Sequence, residues 1–327
     1  MGDCIEVAKR IPTGSVDLIV TDPPYGIGGD RLHQHYKRRE DFVVDGYIEV
    51  PADEYLEFSH GWIREAARVL KPGGSLYVVS GYTHLYEVLD ALRATDLEEV
   101  NHLVWKYNFG VHTTRKYVSS HYHILFCVKP GAPHTFNVES RFGLDEKADD
   151  GGSLNYRDRE DVWTINREYR PGQRKNKNEL PTELLTRIVQ YSSDPGDLVA
   201  DFFLGSGGTA AVAIGLGRQA LGIERSPAMF GHAAAMVAGI VPGSLQATLR
   251  SPQPSEKANQ GKPWTAEDMR RLRKRWTDLR RQGTPKGKAI DALGAELGRG
   301  RFALKNALEK AGVDDVAAGE RQRRLEV

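Results

Sequence analysis

At 327 residues, 40% hydrophobic and 27% charged, the chain has room for one large α/β domain and a small appendage, each with its own core. Its two cysteines, Cys4 and Cys127, form no CxxC and no metal cluster. That cysteine usage suits a reduced cytosolic protein; no signal peptide is evident, no apolar run reaches the length of a membrane-spanning helix and no repeat recurs. The net charge of +1 hides an asymmetry: residues 255–327 hold 18 Lys and Arg against 11 Asp and Glu, a net of +7 that leaves residues 1–254 at −6. A basic tail suits nucleic acid, and a solvated basic face is the bland alternative.

In chain order, the β-branched run from Val16 to Val20 predicts a buried parallel strand. It ends in Thr21-Asp22-Pro23-Pro24-Tyr25-Gly26, where two prolines fix φ and bar the helical region for the residues before them. Ligands of open α/β sheets bind beyond the carboxyl ends of strands, which is where this tetrapeptide falls. Gly26–Asp45 is polar, with His33, His35, Tyr36, Lys37, Arg38 and Arg39, and suits a loop closing on phosphate. Its His-x-His lacks a third ligand, and no metal is expected. Helical periodicity covers Pro51–Leu70, Lys71-Pro72-Gly73-Gly74 stops it, and Ser75–Val79 is the next buried strand. A helix over Leu85–Arg93 and an antiparallel pair near Val100–Lys106 and Tyr122–Lys129 follow.

Residues 130–178 lack regular pattern but carry Arg167, Arg170, Arg174, Lys175 and Lys177. Pro181 sets the first turn of a helix over Leu180–Val189. A strand then runs to Asp201 and breaks into Phe202-Phe203-Leu204-Gly205-Ser206-Gly207-Gly208 before an Ala-rich helix to Leu216. Strand, glycine turn and helix start make a small-molecule site that backbone approaches closely. No Walker Lys follows, so a phosphate cradle is the weaker reading. Glu224 ends the next strand about twenty residues on, the spacing that serves a ribose diol. Residues 250–262 read as a linker. In 263–327, Trp264, Leu272, Trp276, Leu279, Ile290, Leu293, Leu297, Phe302, Leu304 and Leu308 predict a small helical core.

Asp22-Pro23-Pro24-Tyr25 resembles motif IV of the DNA methyltransferases that modify exocyclic amines, and Asp201-Phe202-Phe203-Leu204-Gly205-Ser206-Gly207 resembles their cofactor turn. Catalytic motif first and cofactor turn last is similar to the circularly permuted β-class order. The resemblance implies an α/β fold of the class I methyltransferase (Rossmann-like) kind: a mixed sheet flanked by helices over residues 1–249, with 130–178 as a target-recognition insert or a solvated loop. It implies S-adenosyl-L-methionine as methyl donor, held by Asp3 of a Gly-Asp turn and by Asp201, Phe203, Gly205, Ser206, Gly207 and Glu224. The amine is a weak nucleophile because its lone pair is delocalised into the base. The Asp22 carboxylate and Pro23 carbonyl would accept its two hydrogens, Pro24 would hold the backbone rigid, and Tyr25 would stack on a flipped base. Asp at the motif's first position leans toward N6 of adenine, with N4 of cytosine the alternative. A C5-cytosine enzyme would need a Pro-Cys that this chain lacks.

The partners implied are double-stranded DNA, a homodimer and a companion restriction endonuclease, without a membrane; the place implied is the cytoplasm, at the nucleoid. An RNA substrate stays open, as does a DNA-binding regulator on an inactive scaffold, although Asp22, Tyr25, Gly205 and Gly207 are all intact. Leu297–Lys305 resembles a helix-turn-helix element, with a dimerisation module as the alternative.

Overall fold

A computed structural model describes residues 1–26, 50–108, 114–168, 179–253 and 257–313. His33, His35 and the rest of the Gly26–Asp45 stretch beyond Gly26 lie outside these residues, as do Arg170, Arg174, Lys175 and Lys177. The chain divides into two compact units, one from Met1–Arg141 and Arg159–Ser251, the other from Phe142–Asp158 and Pro252–Val327.

The larger unit is a seven-stranded sheet with helices on both faces. Its elements are α1 (Cys4–Ala8), β1 (Val16–Thr21), α2 (Tyr55–Val69), β2 (Leu70–Ser80), α3 (Leu85–Arg93), β3 (Glu98–Lys106) and β4 (His121–Val128). The smaller unit takes α4 (Leu154–Asp158); then the larger resumes with β5 (Val162–Thr164), α5 (Thr182–Ser192), β6 (Leu198–Asp201), α6 (Gly208–Gly215), β7 (Gln219–Gly222), α7 (Pro227–Ala238) and α8 (Ser244–Thr248). The strand order is β5-β3-β4-β2-β1-β6-β7. β1 lies parallel to β2 and β6, whereas β4 runs antiparallel to β2 and β3. The chain leaves β1 toward β2 and leaves β6 toward β7, in opposite directions across the sheet. A crevice therefore opens between the carboxyl ends of β1 and β6, the switch point of an open α/β sheet.

The central strands are apolar throughout because both faces are covered. Ile19 points into a core with Trp62, Ile63 and Ala66 of α2 and with Val88 of α3. Leu18 and Val20 point into the opposite core, against Leu184, Leu185 and Ile188 of α5. β2 begins at Leu70, so Pro72-Gly73-Gly74 belongs to the strand rather than to a turn before it: Gly73 N donates to Lys129 O and Gly74 O accepts from Lys129 N. The short β5, which the sequence pattern does not announce, adds a parallel edge to β3.

The smaller unit holds α9 (Ala266–Arg281), α10 (Lys286–Leu297) and α11 (Arg301–Lys310) around Leu272, Trp276, Ile290, Leu293, Leu304 and Leu308. Thr265 and Asp268 close a capping box on α9. Two boundaries differ from the sequence reading. Phe142–Asp158 groups with the C-terminal helices, where the buried Glu146 carboxylate accepts from Gly143 N and Gln253 N, and Lys257 pairs with Asp145 at 3.1 Å. The stretch read as a linker is partly built in, since Asn259 donates from its backbone to Gly298 O and from its amide to Leu297 O, satisfying the end of α10. Phe302 is no core residue: it is 76% exposed. Leu304, Ala307 and Leu308 form the buried stripe of α11, and a residue two positions before Leu304 falls on the opposite side of the helix.

Candidate functional site

The crevice between β1 and β6 widens into a cavity of about 650 Å³, within the larger unit. Asp22, Pro23, Pro24 and Tyr25 line one part of it. Asp3, Asp201, Phe203, Gly205, Ser206 and Glu224 line another, with Phe58, Leu180 and Leu185 completing apolar walls. Gly207 does not reach the wall. It sits at φ +92°, which side-chain-bearing residues rarely adopt, as the N-cap of α6, and a Cβ there would lie 3.1 Å from the Ala233 Cβ. Its part is to shape the turn.

The tetrapeptide is held from several sides. The Tyr25 hydroxyl donates to Asp22 Oδ1 at 2.5 Å, and the Tyr55 hydroxyl donates to the Pro24 carbonyl at 2.7 Å. The Tyr25 ring is buried and stacks on Tyr122, centroids 5.3 Å apart and planes inclined by 19°. Tyr122 in turn stacks on Trp105, and the Arg167 guanidinium lies 5.1–5.8 Å from the centroids of Tyr107, Tyr122 and Trp105. The sequence reading singles out none of these three rings. Their signal is a cluster of aromatics at the paired ends of β3 and β4, visible only once the two strands are in register.

Burial pushes the Asp22 carboxyl up to about 7; the Asp201 charge adds to the rise, while the Tyr25 hydrogen bond and Arg167 oppose it. Asp201 is buried and lifted to about 6, chiefly by burial and further by Glu224, against the opposing bonds from Thr209, Phe203 N and Thr21. Thr21 Oγ1 and Phe203 N both donate to Asp201 Oδ1, at 2.8 and 3.0 Å, so this carboxylate ties the ends of β1 and β6 together. Asp3 caps α1 by accepting from Ile5 N and Glu6 N. Glu224 stands two residues beyond the end of β7, where Oε2 accepts from Gly205 N at 3.0 Å and Oε1 from Ser226 N at 2.7 Å. Each of its oxygens has a second lone pair for a ligand donor. Cys4 and Cys127 are buried free thiols. Among the described residues, no group of three or more His, Cys, Asp or Glu is arranged to hold a metal, and no helix is long and apolar enough to cross a membrane.

Comparison with known proteins bears on this arrangement. The type II methyltransferase M.BamHI of Bacillus amyloliquefaciens is 35% identical over 240 residues, 68% of this chain and 53% of that one. The type II methyltransferase M.HinfI of Haemophilus influenzae is 29% identical over 249 residues, 68% of this chain and 63% of its own. The chain thus spans between half and two thirds of the length of these relatives. Among solved structures, a Thermus thermophilus protein assigned as a DNA modification methylase, in complex with S-adenosyl-L-methionine, shares the fold. Its TM-score is 0.56 at 24% identity, over 78% of this chain and 96% of that one. The profile of the N6_N4_Mtase family, described as DNA methylase, matches residues 16–234, a stretch that contains both β1 with its tetrapeptide and β6 with its glycine turn. This chain belongs to the N6_N4_Mtase family of DNA methylases.

Proposed function

We propose that the chain transfers a methyl group from S-adenosyl-L-methionine to an exocyclic amine of a base in DNA, N6 of adenine in the first place and N4 of cytosine as the alternative. One observation carries the reading: a single cavity is lined both by Asp22 and by the glycine turn with its acid, Glu224. The residues fit the donor. A cavity of about 650 Å³ suits a nucleoside-sized ligand, Phe203 and Leu204 offer apolar walls for a base, and the Glu224 oxygens can take ribose hydroxyls. When bound, the donor supplies an electrophilic methyl group on a sulfonium.

The chain's own residues do the rest. Ionised Asp22 accepts a hydrogen bond from the target amine, which localises the nitrogen lone pair toward the methyl group, and Asp22 or solvent would take the proton that the amine loses as the N–C bond replaces the donor's S–C bond. The two prolines and the Tyr55 bond hold that acceptor in place, so little reorganisation accompanies reaction. Tyr25, braced from behind by Tyr122, gives the flipped base an aromatic wall. On this reading double-stranded DNA is the substrate, the enzyme works in the cytoplasm at the nucleoid, and a companion endonuclease and a homodimer are the further partners to seek. The test is to incubate duplex DNA with labelled donor, digest to nucleosides and identify the product by mass. N6-methyladenine is expected. N4-methylcytosine would move the assignment to the alternative, and 5-methylcytosine or no incorporation would overturn the proposal.

A further inference from the structure

The helical unit carries a charge excess that the cavity chemistry does not use. Residues 257–313 hold 15 Lys and Arg against six Asp and Glu. Half of those acids are already engaged: Asp291 with Arg301 at 2.6 Å, Glu296 with Arg275 at 2.8 Å, and Asp268 with Arg299 at 3.0 Å. Among the described residues, exposed cations near α11 include Lys286 and Lys288 on the first turn of α10 and Lys305 and Lys310 on α11 itself, with Glu309 an exposed acid on α11 as well.

Geometry gathers part of this charge onto one face. The turn Gly298-Arg299-Gly300 joins α10 to α11, with Gly298 at φ +61°. Arg301, first residue of α11, grips Asp291 through Nε and Nη2 and reaches within 3.5 Å of the Gly287 carbonyl. The Arg301 side chain thus ties the start of α11 to the first two turns of α10. On the side of α11 away from Leu304, Ala307 and Leu308, the exposed residues include Phe302, Lys305 and Asn306. Phe302 stands 76% exposed in the middle of this face.

We infer that this face of α11, with the first turn of α10, docks in the major groove of duplex DNA. A ten-residue helix is about 15 Å long and 10–12 Å across, and the groove is about 12 Å wide. The groove of A-form RNA is too deep and narrow to admit it. Lys286, Lys288 and Lys305 meet phosphates. Asn306 presents an amide that can pair with an adenine edge, and Phe302 meets a thymine methyl. The surface belongs to the smaller unit, the cavity to the larger, and the inference does not depend on the catalytic reading.

The experiment uses the full chain and the fluorescence anisotropy of a short random-sequence duplex across a salt series. Removing 252–327 would be a poor variant, because it strips the bonding partners of Glu146 and Asp145. The variant Lys286→Gln/Lys288→Gln/Lys305→Gln should weaken binding about tenfold and make the log–log salt slope shallower by roughly two to three, one counterion per lost phosphate contact. Phe302→Ala should weaken binding several-fold with the slope unchanged. A charge-matched control on α9, Arg270→Gln/Arg273→Gln/Lys274→Gln, should move the slope by less than one, and Lys288→Arg/Lys305→Arg should bind as the wild type does. An unchanged slope in the lysine variant, or equal loss in both charge-matched variants, would overturn the proposal. So would loss of a dimer in sedimentation with the slope intact, which would make this face a contact between copies. Methyl transfer at saturating duplex is read in parallel and should persist. A wild type inactive in that assay but with the expected slope changes would support this surface and overturn only the catalytic reading.

Discussion

Asp22→Asn should damage turnover and strengthen the fold, and the opposite signs test the assignment of Asp22. Its carboxyl titrates at about 7 in the folded chain against an ordinary 3.8. The folded value is raised, so between about pH 4 and 7 the native state binds more protons than the unfolded chain, and stability falls as pH rises through that window. Each pH unit of difference is worth about 1.4 kcal/mol, so by pH 8 the ionised carboxylate costs the fold at most about 4 kcal/mol. Asn keeps an oxygen to accept from Tyr25 and removes the charge, so the variant should unfold at higher denaturant than wild type at pH 8 and near the same point at pH 4. Asp201, at about 6, contributes a slope of the same sign in both proteins. Catalysis moves the other way. With its oxygen taken by Tyr25, the amide turns an N–H toward the target amine, and losing a hydrogen bond to a charged acceptor costs about 1.5–3 kcal/mol, or ten- to over a hundredfold in turnover. Denaturant titrations at pH 4 and 8, with single-turnover methylation at pH 8, read both effects. A variant less stable at pH 8 than wild type would refute the burial argument, and wild-type turnover would refute the catalytic role.

Further outcomes follow from the same geometry. Wild-type turnover should fall as pH drops through about 7, because protonated Asp22 is a far weaker acceptor than the carboxylate, and Tyr25→Phe should move that midpoint to higher pH by removing the bond that holds the carboxyl down; an unmoved midpoint in the pH–rate profile would contradict this. Glu224→Ala should weaken donor binding by about 1–3 kcal/mol in calorimetry, toward the upper end because the turn at Gly205 also loses its acceptor, and unchanged affinity would mean that neither the acid nor the turn it braces contributes to donor binding. Thr21→Val leaves buried Asp201 one donor short and should cost about 1.5–3 kcal/mol of stability by denaturant unfolding; a variant as stable as wild type would show the carboxylate re-paired elsewhere.

The parts of the site carried by local chemistry are legible in the sequence. The β-branched run into Asp22-Pro23-Pro24-Tyr25 and the glycine turn after Asp201 are contiguous signals, and the structure brings both to one cavity. Thr21 is not legible, because its partner Asp201 is 180 residues away and only the pairing of β1 with β6 brings them together. Trp105, Tyr107 and Tyr122 read as ordinary strand aromatics until β3 and β4 are set in register. Phe302 reads as core only when an apolar residue in a helical stretch is counted without its phase; Leu304 and Leu308 set that phase. Phe142–Asp158 has too little periodicity to show where it packs, since backbone amides meeting the Glu146 carboxylate hold it to its unit.

That smaller unit is drawn from two separate stretches, so the polypeptide passes between units after Arg141, after Asp158 and after Ser251. Synthesis meets these crossings in order. When Phe142–Asp158 leaves the ribosome, the segment that completes its unit has not been made. At roughly 5–20 residues per second it waits on the order of ten seconds for Pro252 and the helices beyond. In that interval β5, α5, β6, α6 and β7 emerge and can complete the sheet. The small unit is thus the last to complete, and a stop codon directly after Ser251 would release a chain whose crevice between β1 and β6 is formed but whose Glu146 carboxylate lacks the Gln253 amide that it accepts from.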